Sequence, residues 1–457
     1  MAERLVNVDR NTPLLLPPDL RDWVPSDHLV HFVIDALNSF DLSQASINHR
    51  GTGSAQYPPR MLLGLLIYGY ATGRFSSREI ERATHTDVAM RYLSGDLHPD
   101  HDTICTFRVK NEPLIKQAFT SILLLAKELK FFKVGNVSID GTKVLANASK
   151  HKAVSYNRAG EQIEVFQAEV AELLQKAEQA DKANLAEGLT IPEEIKRRED
   201  RIEKLRQARQ VIEERVKEHV AQLQEEHELK MKERAAKKEQ GKRVSGREPK
   251  PPSDTPSGRE QYNFTDPESR IMKMGNGKRF EQCYNAQAAV DADGSMLILG
   301  ARVCASANDK QQLMPTAQTV NKDIGSPKRW IVDSGYYSEK AVKQTEESLG
   351  ALVYAAVGKQ SHHRSVRDLQ AHVEPAELPQ DAKPVEVMAH RLQTKEGKAV
   401  YKLRKETVEP VFGIIKEVLG FRRFMLRGLE KVNLEWSLVS LAYNFKKLFA
   451  LSVRIAA

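Results

Sequence analysis

The sequence predicts an α/β protein in which a mixed-sheet domain is split by a long helical insertion and preceded by an all-helical segment. Three observations predict it. Strand-like apolar runs recur at 134–148, 283–292, 295–305, 329–338 and 351–358, with helical spacing between the later ones. Between the first and second run, residues 156–261 carry no strand pattern and are rich in Glu, Lys, Arg, Gln, Ala and Leu. Residues 1–133 read as a series of short capped helices.

At 457 residues the chain is long enough for two or three domains, and a hydrophobic content of 41% supports a packed core. The longest apolar run, "MLLGLLIYGYA" at 61–71, is too short to span a bilayer and reads as a buried helix. No secretory pattern opens the chain, so a cytoplasmic, nucleoid-associated protein with no membrane partner is expected. Cys105, Cys283 and Cys304 are widely spaced and form no CxxC, which argues against a disulfide framework or a zinc ribbon. The net charge of +8 is unevenly spread: nine Lys/Arg face three Glu between Lys230 and Lys250, and residues 395–431 hold ten Lys/Arg and five Glu. Runs of this kind serve as solvated faces or as contacts to nucleic acid, and two in one chain point to the second.

Within 1–133, "SDHLVHFVIDALNSF" offers Ser26 as a cap, "SSREIERATHTDVAMRYL" has Ser76 and Glu79 in capping-box spacing, and "HDTICTFRVKN" opens with Asp102 as a cap. Arg78, Arg82, Arg91 and Arg108 among these helices suit either a helix-turn-helix reader of DNA or a plain helical bundle. Residues 156–261 are assigned two long helices, an antiparallel pair, followed by a basic linker "GKRVSGREPKPPSDTPSG". Around this insertion, 134–155 and 262–457 form the sheet domain. Asp293-Gly294 marks a hairpin between the second and third strands, a helix is placed from Asp309, and another over 339–350. Asp266 is read as the cap of a helix whose first residue is Pro267. Three strands, helix, strand, helix, strand, helix is the order of a ribonuclease-H-like fold interrupted after its first strand.

Three carboxylates stand at telling places in that order. Asp140, in "SIDGTKVLANAS", sits inside the first strand candidate; an Asp-Gly pair is by itself an ordinary turn. Asp333, in "IVDSGYYS", ends the fourth, where it also suits an N-cap. Glu409 lies beside an apolar stripe of Val408, Phe412, Ile415 and Leu419, flanked by Lys405 and Lys416, where surface ion pairing is the plain alternative. Pro410 either makes Glu409 the start of a new helix or kinks a longer one where the carboxylate sits. Because the first and fourth strands are neighbours in a ribonuclease-H-like sheet, the three carboxylates can converge. Hard oxygen ligands so gathered hold two Mg²⁺ ions about 4 Å apart for phosphoryl transfer.

The ordered set "PPDLRDWVPSDHLVHFV", "HDTICTFRVKN", "SIDGTKVLANAS", "FTDPESRIMK", "CYNAQAAVD", "ANDKQQL", "VDSGYYS" and "RKETVEPVFGIIK" resembles the DDE-type transposases of bacterial insertion sequences, in the branch with an InsH-like N-terminal domain and a long insertion after the first aspartate. The resemblance spans essentially the whole chain. It implies that Asp140, Asp333 and Glu409 form the catalytic and metal-binding triad, holding two Mg²⁺ ions that Mn²⁺ can replace. Relatives grip the DNA end with Tyr, Arg, Glu and Lys around the glutamate. Lys416 fits that spacing, whereas Tyr401 and Arg404 each lie one residue farther from Glu409 and Lys405 takes the basic position, so the DNA contacts fall among these four. Asn285, Gln287 and Asn308 match polar family positions and equally suit hydrogen bonding within the sheet and its loops. The implied partner is double-stranded DNA, both element ends and target, with a homodimer assembled on it. The implied reaction is metal-dependent cleavage at the ends, then strand transfer of the 3′ hydroxyls. The rival readings are a catalytically silent DNA-binding protein derived from a transposase and a ribonuclease-H-like nuclease of repair or recombination.

Overall fold

The computed structural model describes residues 19–47, 55–183, 191–239, 251–274, 279–358, 375, 377–379 and 382–456. The chain divides into two compact units, one of Met1–Val144 with Asn285–Ala457 and the other of Leu145–Tyr284.

The first unit is a mixed α/β body with a helical N-terminal region. Its opening helices are α1 (Leu29–Ser39), α2 (Pro59–Ala71), α3 (Ser77–Thr86), α4 (Val88–Ser94), α5 (His101–Lys110) and α6 (Glu112–Glu128). The apolar run at 61–71 forms α2, whose side chains from Leu62 to Ala71 are all buried, as its composition requires. Ser76 and Glu79 make the anticipated capping box on α3. Two other caps are displaced. His28 rather than Ser26 caps α1, its Nδ1 accepting from the Val30 amide at 3.3 Å. Asp100 rather than Asp102 caps α5, accepting from the Thr103 amide at 2.6 Å, because the helix begins at His101.

The long helix ending the unit, α13 (Leu429–Ala456), packs on α2, α6 and strand β6 (Ile298–Cys304). A buried polar network pins it there: Glu435 accepts from the Met425 and Leu426 amides and from the Tyr70 hydroxyl at 3.1 Å. Arg108 donates to the same hydroxyl at 2.8 Å and to the Phe75 carbonyl at 3.0 Å. Arg108 is therefore withdrawn from any DNA-reading surface, a correction to its place in the basic set, whereas Arg78 and Arg82 stay exposed.

The sheet is mixed, in the order β4 (Arg270–Met274), β5 (Arg279–Asp291), β1 (Asn136–Leu145), β7 (Arg329–Val332), β8 (Leu352–Ala355), with β6 pairing β5. β1 and β7 run parallel with Ser138 opposite Ile331, and β7 and β8 are parallel too. β5 and β6 are antiparallel across the turn that holds Asp293 and Gly294, the latter at φ +120°. β7 stops at Val332 instead of continuing to 338, and α10 (Glu339–Leu349) is capped by Ser338, which accepts from the Ala341 amide at 3.1 Å. The helix expected from Asp309 begins only at Leu313, as α9 (Leu313–Ala317), because the Asp309 carboxylate is engaged by side chains of β5. After α11 (Pro384–Gln393), α12 spans Lys395–Gly413 with Pro410 inside it and passes into a π-helical turn, Ile414–Val418. Glu409 thus lies within a longer helix that Thr394 caps, and the new-helix alternative falls away.

The second unit contains α7 (Tyr156–Ala183) and α8 (Ile191–Glu239). They run antiparallel: Tyr156 meets Glu213 near one end, and Arg198 meets Glu169 farther along. Ala159 and Ile163 pack on Ile202, Leu205 and Ala208. The short strands β2 (Ala153–Ser155) and β3 (Gln261–Asn263) pair antiparallel, and β4 pairs antiparallel with the start of β5. No helix follows Asp266. Its carboxylate is buried and accepts from the Tyr284 hydroxyl at 2.8 Å, so it cannot serve as a cap, and the chain turns directly into β4. Much of the basic linker lies outside the described residues; its last part, 251–258, is neither helix nor strand.

Candidate active site

Asp140 is not in a turn. It lies mid-way along the continuous strand β1, with Oδ1 accepting from the Gly141 amide at 2.8 Å. Gly141 is required there for a different reason: a Cβ would come within 2.2 Å of Gln287 Nε2, 2.8 Å of Asn285 Oδ1 and 2.9 Å of Asp309 Oδ1. Asn285 and Gln287 alternate on β5 and both donate to Asp309 Oδ1, at 2.7 and 2.8 Å. The Tyr336 hydroxyl closes the cluster with a short hydrogen bond to Gln287 Oε1, and Trp436 of α13 donates to the Gln287 carbonyl at 2.9 Å. The hydrogen-bonding role anticipated for Asn285 and Gln287 is what they perform, and Asn308 Oδ1 accepts from the Lys310 amide at 3.1 Å.

Asp333 follows the last residue of β7. Continuing the parallel register two residues past Ser138 and Ile331 brings it alongside Asp140. It does not cap α10; its Oδ1 accepts from the Gly335 amide at 2.8 Å. The electrostatics bear the mark of this crowding. Burial pushes the Asp140 carboxyl up to about 7; the Gly141 amide opposes the rise, Asp333 adds to it, Arg404 opposes it and Asp309 adds again.

Glu409 is farther out, its side chain about half exposed. Between it and Asp140 stands Arg404, only 14% exposed, with Nη1 at 3.4 Å from Asp140 Oδ2 and Nη2 at 3.2 Å from Glu409 Oε1. Tyr401 packs among Ala292, Ile331, Tyr354 and Val400. Burial raises its hydroxyl above the ordinary phenol range, with Arg404 opposing and Asp333 and Asp140 reinforcing. Lys416 reaches β1 and donates to the Lys143 carbonyl at 2.9 Å. Lys405 is exposed. Asp140, Asp333, Glu409, Tyr401, Arg404 and Lys416 are thus drawn to the middle of β1 and the carboxyl end of β7, and Lys405 is exposed.

Two participants escape the sequence reading. Asp309 reads there as a helix cap, and Tyr336 does not stand out, although period-two placement of Asn285 and Gln287 on a strand is a usable sign that they share one polar partner. The donor chemistry at Asp140 and Asp333 suits a hard divalent cation: neighbouring carboxylate oxygens, one of them raised by burial and by the other's charge and only partly offset by Arg404. Glu409 does not complete the set in this arrangement, because Arg404 holds it, and among the described residues no group of three acidic, histidine or cysteine side chains is close enough to hold an ion.

Two family models match the chain. Residues 18–110 match "Transposase domain (DUF772)", and residues 367–449 match "Transposase DDE domain". The first covers the helical N-terminal region from the Leu20–Trp23 turn through α5; the second covers α11, α12 and most of α13, and so holds Tyr401, Arg404, Lys405, Glu409 and Lys416 but neither aspartate. No curated protein and no solved structure matches the chain.

Proposed function

Since the chain belongs to the DDE transposases of insertion sequences, we propose that it cleaves DNA at the ends of its element and joins the freed 3′ hydroxyls to target DNA. The site is Asp140, Asp333 and Glu409 on a ribonuclease-H-like sheet. The observation that carries the reading is the parallel pairing of β1 with β7, which sets Asp140 beside Asp333 in a half-buried, mutually repelling pair. Such a pair is unfavourable by itself and becomes useful when a cation is shared.

Asp140 and Asp333 would hold divalent ions, Mg²⁺ or Mn²⁺, with Glu409 joining once Arg404 releases it. When bound, two such ions activate the attacking oxygen and stabilise the leaving one in an in-line displacement. The residues of the chain do the rest. Gly141 lets Gln287, Asn285 and Asp309 press against β1 without a side chain in the way, fixing the backbone that carries Asp140. Lys416 ties the π-helical turn that continues α12 to the Lys143 carbonyl and so keeps Glu409 close to the aspartates. Lys405, exposed on the same helix, and Arg404, once displaced, supply cations for the phosphates of the DNA end. No helix among the described residues is long and apolar enough to cross a membrane, and the partner proposed is duplex DNA bound by a homodimer that pairs two ends. The 1–133 segment is proposed as the DNA-binding domain, 134–155 with 262–457 as the catalytic domain, and 156–261 as the insertion between its first strands.

The rival reading, a silent DNA-binding derivative, predicts loss of an acidic residue, and all three are present. Strand transfer tests the proposal. Pre-cleaved element ends with a 3′ hydroxyl should be joined to a target plasmid in Mg²⁺ or Mn²⁺, and the same ends with a 3′-deoxy terminus should not. Equal joining of both, or none with either, would refute it.

A further inference from the structure

A cavity of about 340 Å³ in the second unit is lined by Arg215 of α8, Arg270 of β4 and the segment carrying Ser253, Thr255, Ser257 and Glu260. The two guanidinium groups converge on one neutral acceptor. Arg215 Nη2 donates to the Pro267 carbonyl at 2.7 Å, and Arg270 Nη1 donates to the same oxygen at 2.9 Å and to the Ser269 carbonyl at 2.9 Å. Among the described residues neither arginine has a carboxylate within ion-pair distance; Glu260, which also lines the cavity, is not paired with either. Their remaining N–H donors have no protein partner there. Burial lowers the pKa of both, and repulsion from Arg215 lowers that of Arg270 further, while Glu260 and Glu268 oppose the fall in each. Two like charges kept half-buried, with Glu260 and Glu268 acting on them only from beyond ion-pair distance, are costly unless an anion completes the site.

The lining supplies more donors. Ser253 Oγ accepts from the Thr255 amide and Ser257 Oγ from the Arg259 amide, so each hydroxyl proton remains free to donate. A planar guanidinium pair with hydroxyls at its rim matches the oxygens of a phosphate. A strongly basic run, Lys230 to Lys250, begins in the last part of α8 and continues in the sequence up to this segment, in a chain of net charge +8. We propose that this cavity seats a backbone phosphate of duplex DNA between Arg215 and Arg270, giving the insertion a DNA contact separate from the acidic site. The proposal rests on the reading of the chain as a transposase acting on DNA.

The test measures binding of the full-length protein to a fluorescent duplex by anisotropy across a range of KCl concentrations. Arg215→Gln/Arg270→Gln should weaken binding roughly 5- to 10-fold and reduce the log–log salt slope by about 0.9, the value for a single phosphate no longer neutralised. Arg215→Lys/Arg270→Lys, which keeps the charge, should keep the slope. Melting of the DNA-free glutamine variant shows whether it is folded, the hydrogen bonds lost to the Pro267 and Ser269 carbonyls opposing the repulsion removed; if that variant fails to fold, Arg270→Gln alone reads the same slope. An unchanged slope in a folded glutamine variant, with the wild type binding normally, overturns the phosphate site and leaves the transposase reading standing. A wild type that binds no duplex overturns both.

Discussion

Arg404 bridges Asp140 and Glu409, 3.4 Å from one carboxylate and 3.2 Å from the other. A guanidinium so placed partly neutralises the acidic pair in the absence of metal and stands where the two carboxylates would otherwise approach a shared ion. Removing it should strengthen the site's hold on cations. Arg404→Gln is expected to bind Mn²⁺ about 5-fold more tightly than wild type at pH 8, the equivalent of about 1 kcal/mol, measured by calorimetry without DNA. Weaker binding by the variant would show that Arg404 supports the ligand geometry instead of competing with it.

Asp140 gives a pH signature. Its carboxyl is raised from 3.8 to about 7, chiefly by burial. The folded metal-free protein therefore holds a proton that the unfolded chain releases near pH 4, and stability falls as pH rises from about 4 to 7. Asp140→Asn should melt higher than wild type at pH 8, with a gain of at most about 4 kcal/mol at ~1.36 kcal/mol per pH unit, and equally at pH 3.5. A variant that melts lower at pH 8 would mean that the Arg404 ion pair outweighs the burial of Asp140.

Gly141 tests the packing beneath the site. A Cβ there would meet the amide of Gln287 at 2.2 Å, and that amide is tied to Asp309 and Tyr336. Gly141→Ala should cost about 1–3 kcal/mol in melting experiments, as overpacking does, and reduce cleavage more than DNA binding. An innocuous substitution would show that the Asn285–Gln287–Asp309 cluster is not held against β1.

Lys405 and Lys416 separate contact from scaffold. Lys405 is exposed, so Lys405→Ala should leave melting unchanged and lower the salt slope of DNA binding by about 0.9. Lys416 is committed to the Lys143 carbonyl, so Lys416→Met should cost about 1–2 kcal/mol of stability with little change in slope. Both changes falling in the slope would assign Lys416 to the DNA as well.

Much of this architecture is legible in the sequence. The strand patterns around Ile139 and Ile331 are readable, and the ribonuclease-H-like order expected from them puts Asp140 and Asp333 on neighbouring strands, which pair in parallel as β1 and β7. The i, i+4, i+7 stripe of α12 and the π-helical turn after it places Val408, Phe412 and Ile415 in the core and leaves Glu409 beside it. What is illegible depends on long-range partners. Asp100 and Asp102 compete for one cap within two residues, and only the helix start decides. Arg108 reads as a surface cation until Tyr70 and Glu435, remote in sequence, bury it. Arg404 and Lys405 are adjacent on one helix, and only the position of Asp140 on another element determines which one turns toward the acids.

The most direct measurement is nicking of a labelled linear duplex bearing the element's end, by wild type and by Asp333→Asn, in Mg²⁺ or Mn²⁺, with binding followed on the same DNA. The account predicts metal-dependent cuts at the element boundary by wild type, and a variant that still binds but is at least about 100-fold slower, which corresponds to roughly 2.7 kcal/mol or more of transition-state stabilisation. Cleavage by Asp333→Asn at the wild-type rate, or binding by the wild type without cleavage in either metal, would contradict it.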